Sequence, residues 1–136
     1  MGTRSITRVI DNDWGRETPL VTIYRQYDGY PEGHGKDVVD FITSRQFVNG
    51  YNDRFAEFNG AGCFAAALIA WLKTEGEGKI SAGGVYLHAP NLEAKEEFNY
   101  TITIAKGEIS VKIESEDELL FEGSPTEFND YVKESV

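Results

Sequence analysis

Between Phe98 and Ile113 apolar and polar side chains alternate twice, once on each side of a short turn, and this pattern limits the fold more than any other stretch. Phe98, Tyr100, Ile102 and Ile104 interleave with Asn99, Thr101 and Thr103. After Ala105-Lys106-Gly107-Glu108, Ile109, Val111 and Ile113 interleave with Ser110, Lys112 and Glu114. Successive side chains of a strand point to opposite faces, so the pattern specifies an antiparallel hairpin with one apolar face and one wet face. An apolar sheet face must be buried under another layer. The chain offers three helices for this. Ser124-Pro125-Thr126-Glu127 joins a capping box to a proline at the first helical position, and Phe128, Tyr131 and Val132 would dock that helix. Gly62 to Thr74 is apolar nearly all round, which predicts a buried helix at the centre of the core, closed by Gly76 and Gly78. Val38, Phe41 and Ile42 give helical spacing from Lys36, fading near Phe47.

Further strands are expected at Ser5 to Ile10 and Leu20 to Tyr27, joined through the turn residues Asp11 to Gly15 into a second antiparallel hairpin. Val85 to His88 reads as a short strand stopped by Pro90, and Leu119-Leu120-Phe121 as one more. The expectation is an α+β fold, one globular domain over residues 1–136, with an antiparallel or mixed sheet of about five to six strands covered by about three helices.

Charge narrows the class of partner. The chain has 13 Lys and Arg against 23 Asp and Glu, a net of −10. Residues 1–54 hold six Arg, one Lys and eight acids, a net of −1, while residues 55–136 hold six Lys and fifteen acids, a net of −9. Every arginine therefore lies in the first 54 residues. Arginine presents a planar fork suited to phosphate or carboxylate, whereas lysine is a hydrated point charge. The acidic surface argues against DNA or RNA, which need a basic face, but permits a small anion in a local arginine pocket. No apolar run approaches the ~20 residues that cross a bilayer, and no apolar signal core opens the chain. A single cysteine excludes an internal disulfide and fits a reducing compartment, so a cytoplasmic location is expected.

The richest chemistry lies in Tyr24-Arg25-Gln26-Tyr27-Asp28-Gly29-Tyr30-Pro31-Glu32-Gly33-His34-Gly35, between the second strand and the first helix. Glycine lets a ligand approach the backbone, and Gly33-His34-Gly35 sits at a helix start, where free N–H groups favour an anion. Arg4 and Arg8 share a strand face and Arg25 ends the neighbouring strand, so the three are assigned to phosphate or carboxylate oxygens. Tyr27 and Tyr30, with Trp14, are candidates to stack on a ring, and His34 for a donor whose charge follows pH. Asp28 and Glu32 would assist a cation only through ligand phosphates. A second connector, residues 49–61, adds Arg54, with Tyr51, Phe55 and Phe58 either lining the pocket or covering the core. Its Gly60-Ala61-Gly62 makes a second glycine-led helix start that lacks a preceding strand and any dinucleotide fingerprint. The plain alternative is a strand-to-helix connector made of ordinary turn residues.

Two other classes compete. Cys63 lies at a helix N-terminus, where the dipole lowers a thiol pKa, and His88 followed by Asn91 or Asn99 repeats the cysteine, histidine, asparagine order of papain-like hydrolases. Against this, cysteine in an apolar helix packs as a small hydrophobe. His34 acting on a nucleotide is a second enzymatic alternative. The third class is a protein–protein interaction module using the aromatic loops. Two histidines and one cysteine lack the spacing of a zinc site, so neither metal nor cofactor is expected.

The opening Gly2-Thr3-Arg4-Ser5, the block Tyr24 to Pro31 with Gly33-His34-Gly35, the Gly62-Cys63 helix start and Gly84-Val85-Tyr86-Leu87 together resemble a family of small proteins from phages, prophages and bacteria. The likeness covers most of the chain but carries no activity with it. Its phage setting implies, by analogy of size and context, a counter-defence sponge. Such a protein is homo-oligomeric, acts in the host cytoplasm and sequesters a nucleotide immune signal without catalysis. The function expected is thus a non-catalytic binder of a nucleotide-derived or similar anionic small molecule, with no nucleic-acid or membrane partner.

Overall fold

A computed structural model describes residues 2–13, 15–44, 46–48, 57–74 and 83–134, with backbone only at 46–48 and 57. Trp14, Arg54, Tyr51, Phe55 and the glycines expected to close the central helix lie outside these residues. The chain runs β1 (Ser5–Asp11), β2 (Thr18–Arg25), a π-helical turn (Pro31–Gly35) continuing into α1 (Lys36–Thr43), β3 (Gln46–Val48), β4 (Glu57–Asn59) and α2 (Gly60–Lys73). It continues with β5 (Val85–His88), β6 (Phe98–Ala105), β7 (Glu108–Ser115), β8 (Glu118–Gly123) and α3 (Pro125–Glu134). Six strands form one mixed sheet in the order β5-β2-β1-β6-β7-β8, and β3 pairs with β4 in a separate two-stranded sheet. The fold is α+β.

Register follows the alternation read above. The β6–β7 hairpin sets Tyr100 opposite Ile113 and Ile102 opposite Val111, so their apolar faces coincide. The two hairpins join through a parallel β1–β6 ladder, with Thr7 beside Tyr100 and Val9 beside Ile102. The helices cover the face that carries Val9, Val21, Ile23, Tyr100, Ile102, Val111 and Ile113, and add Val38, Phe41, Phe64, Leu68, Phe128 and Val132 to a shared core. At α3 the expected capping box is closed in both directions: Ser124 N donates to Glu127 Oε1 at 3.0 Å, and Glu127 N donates to Ser124 Oγ at 3.2 Å.

Three expectations are corrected. The first helix stops at Thr43, and the chain then extends into β3 rather than reaching Phe47 as helix. Gly60-Ala61-Gly62 does follow a strand, the short β4. The central helix is buried on one side only: Ala61, Phe64, Ala65 and Leu68 face the core, whereas Gly62, Cys63, Ala66 and Ala70 are exposed. Its all-round apolar reading came from alanine, which favours helix for conformational reasons and brings too little surface to require burial.

The opposite face of the sheet carries Ile6, Arg8, Thr22, Tyr24 and Asn99. Residues 89–97 cross it: Thr22 Oγ1 donates to Pro90 O at 3.2 Å, and the Arg8 guanidinium donates to Leu92 O at 3.3 Å and also to Ala94 O. No helix among the described residues is long and apolar enough to cross a membrane.

Candidate functional site

On the helix-covered face β1 and β2 are antiparallel, with Ser5 opposite Arg25 and Thr7 opposite Ile23. This brings Thr7 and Arg25 beneath the π-helical turn, which lowers His34 between them. Thr7 and His34 are both buried. Arg25 Nη1 lies 3.2 Å from His34 Nδ1 and 2.7 Å from Asp37 Oδ2, and His34 Nε2 lies 2.6 Å from Thr7 Oγ1. A guanidinium can only donate, so Nδ1 is the acceptor and the ring proton sits on Nε2, donating to Thr7. Burial first, and the Arg25 charge second, hold the imidazole pKa down from 6.5 to about 3. The ring is also met edge-on by Tyr100, centroid to centroid 4.7 Å, and the Tyr100 hydroxyl donates to Gly29 O at 2.8 Å. His34 is therefore a neutral strut that ties β1, β2 and β6 to the loop, with both nitrogens occupied.

The glycine loop is packed in the same way. Gly33 N donates to Tyr30 O at 3.0 Å, His34 N to Asp28 O at 2.7 Å and Gly29 N to Thr3 O at 2.9 Å. A methyl group at Gly29 would fall 2.8 Å from the Arg4 carbonyl carbon and from Ser5 Cβ. Close approach is what Gly29 provides, but the group that approaches is the start of β1, while Gly33 lies against Asp28 O of the loop itself. Gly35 packs on Val132 of α3. The amides of Gly33 and His34 are thereby spent inside the fold.

Outside this network lies a cavity of 590 Å³ lined by Arg25, Tyr27, Asp28, Asp37, Trp71 and the β5 approach Gly83 to Val85, with Leu72 and Thr74. The Arg25 side chain is 18% exposed, so its edge beyond Nη1 reaches this space. Tyr27 and Trp71 are the open walls, 52% and 41% exposed. The Trp71 indole N–H donates to Asp37 O at 3.0 Å, which orients the ring. Tyr30 borders the loop and donates its hydroxyl to Asp28 Oδ1 at 3.1 Å, a bond that raises its pKa.

The structure thus brings Arg25, Tyr27 and Asp28 to one cavity and sends the other candidates elsewhere. Arg8 is on the far face of the sheet, pinned to carbonyls, and cannot join Arg25. Arg4 is exposed ahead of β1, on the Arg8 side by alternation. Gly60 and Gly62 open α2 roughly 17 Å and 14 Å along its axis from Trp71, too far to share a small ligand with the cavity. Among the hydrolase candidates, Cys63 is exposed on α2 above the helix-covered face. His88 contacts Tyr24 on the opposite face at 5.7 Å, and Asn99 closes a turn through Glu96 N and O. The sheet separates Cys63 from both, so they form no catalytic group. Among the described residues no three His, Cys, Asp or Glu side chains gather to hold a metal ion.

Trp71, Asp37 and Thr7 were missed by sequence reasoning. Thr7 gave a usable signal: it alternates with Val9 on a buried face, and a buried hydroxyl requires a partner. Trp71 was absorbed into an apolar helix, although it is the one large ring at that helix's C-terminal end. Comparison with family models, with curated proteins and with solved structures gave no match.

Proposed function

We propose that this chain is a non-catalytic binding protein whose cavity beside Arg25 takes a flat, nucleobase-bearing small molecule. One observation carries this reading: a guanidinium edge and two exposed rings, Tyr27 and Trp71, open onto the same 590 Å³ space. That volume falls in the range of small-molecule sites. The rings supply stacking surface, which for a base is worth about 1–3 kcal/mol per aromatic side chain. Charge restricts the ligand further. Among the described residues Arg25 contributes +1 and Asp28 and Asp37 contribute −1 each, so their sum is −1. A polyphosphate is disfavoured there. A cyclic mononucleotide, with one negative charge to set against Arg25 and ring N–H groups for the carboxylates, fits better. Within the counter-defence setting suggested by analogy of size and context, tight holding of such a ligand withdraws a signal from the cell.

Isothermal calorimetry with 3′,5′-cyclic GMP tests this. Saturable binding is expected, weakened about tenfold by Tyr27→Ala or Trp71→Ala. Equal heats from wild type and both variants would refute the site.

A further inference from the structure

The face of the sheet turned away from the helices holds a second space that the cavity at Arg25 does not use. It is an open groove of 590 Å³ walled by Tyr24, Tyr86 and His88, with Ile6 at its floor and Glu96 at its rim. Tyr24 and Tyr86 are paired across the β2–β5 ladder, their centroids 5.9 Å apart at 30°. The His88 ring lies 5.7 Å from Tyr24 at 52°. Cross-strand ring packing alone explains the contact between the tyrosines, but it does not explain why Tyr86 stays 47% exposed or why a carboxylate stands at the groove.

Among the described residues no lysine or arginine lines the groove. On this side Arg8 is committed to the carbonyls of Leu92 and Ala94 and Lys95 to Asp117 at 2.6 Å, while Arg4 is exposed ahead of β1. Three π faces, one carboxylate and a chain of net charge −10 act on this space with the same sign, against the exposed guanidinium of Arg4. A primary ammonium would give up its hydration for a few acceptors, the Glu96 carboxylate and the Gln26 amide oxygen among them. A quaternary or fully methylated ammonium is weakly hydrated and matches ring faces through cation–π attraction. We infer that the Tyr24–Tyr86–His88 groove is a binding site for a small organic cation of the quaternary ammonium type.

The test pairs choline with 3,3-dimethylbutan-1-ol, a neutral molecule of the same shape, in titrations followed by amide correlation spectra. Choline should bind saturably, at least about fivefold tighter than the neutral analogue. Shifts should centre on Tyr86, Leu87 and His88 and leave the Trp71 indole unmoved. Tyr86→Leu should weaken choline about fivefold and Glu96→Gln about threefold, both with unchanged circular dichroism, since these side chains stand at the surface. Equal affinity for the two molecules, no saturable binding of choline, or shifts centred on Trp71 would each overturn the inference.

Discussion

Lowering the pH should destabilise this protein through His34 before most of its carboxylates matter. The ring is buried, accepts from Arg25 on Nδ1 and donates to Thr7 from Nε2, and it faces Tyr100 on β6. A second ring proton would have to displace the Arg25 donor and place two cations together. The folded-state pKa is about 3 against 6.5 when unfolded. Between those values the unfolded chain binds one proton more than the folded chain, so unfolding becomes easier as pH falls. The contribution is fully present above pH 6.5 and is lost progressively below it, at about 1.4 kcal/mol per pH unit. By pH 5 the loss is about 2 kcal/mol, a figure that needs only a folded pKa well below 5. Urea unfolding of wild type and His34→Gln at pH 7.5, 6 and 5 isolates the effect, because all other titrating groups are common to both. Wild type should lose about 2 kcal/mol more than the variant over that interval. Parallel losses in the two proteins would show that His34 protonates freely when folded, and the strut assignment would fail.

Other expectations follow from the same geometry. Tyr100→Phe leaves Gly29 O without its buried donor and should cost about 1–3 kcal/mol in urea unfolding. Gly29→Ala sets a methyl group against the Arg4 backbone and should destabilise by about 1–3 kcal/mol. Gly62→Ala, helical, exposed and with open space around it, should stabilise by about 0.5–1 kcal/mol. A shared sign for the two glycine variants would contradict the packing described. Cys63 is exposed on the outer side of α2, so iodoacetamide should label the native protein and leave calorimetric binding of cyclic GMP unchanged. A loss of binding on labelling would place the ligand at that end of α2 instead.

Period-two alternation made the β6–β7 hairpin and its buried face legible, because an antiparallel sheet with one wet face writes both faces into its sequence. The capping box at Ser124 was equally plain, since it is a local hydrogen-bond exchange. The site was legible in place but not in role. Arg25, Tyr27 and Asp28 of the Tyr24 to Gly35 stretch border the cavity, yet Gly29 and His34 serve contacts with Thr3, Arg4, Ser5 and Thr7, fixed by how β1 and β2 pair. Nothing local to the loop encodes that pairing. Register also decided the arginines: Arg8 and Arg25 differ by an odd number of steps across the ladder, so one sheet separates them. Trp71 reaches the cavity only through the docking angle of α2, a property of the core and not of the helix sequence.

The proposed function requires a ligand ring lying between Tyr27 and Trp71 with one oxygen on Arg25. An amide and indole correlation spectrum of the wild-type chain, titrated with 3′,5′-cyclic GMP, tests it most directly. The expected result is saturable movement of the Trp71 indole N–H together with the amides of Tyr27, Asp28 and Gly83 to Val85. A spectrum unchanged at saturating nucleotide, or one that moves only at residues remote from this cavity, would contradict it.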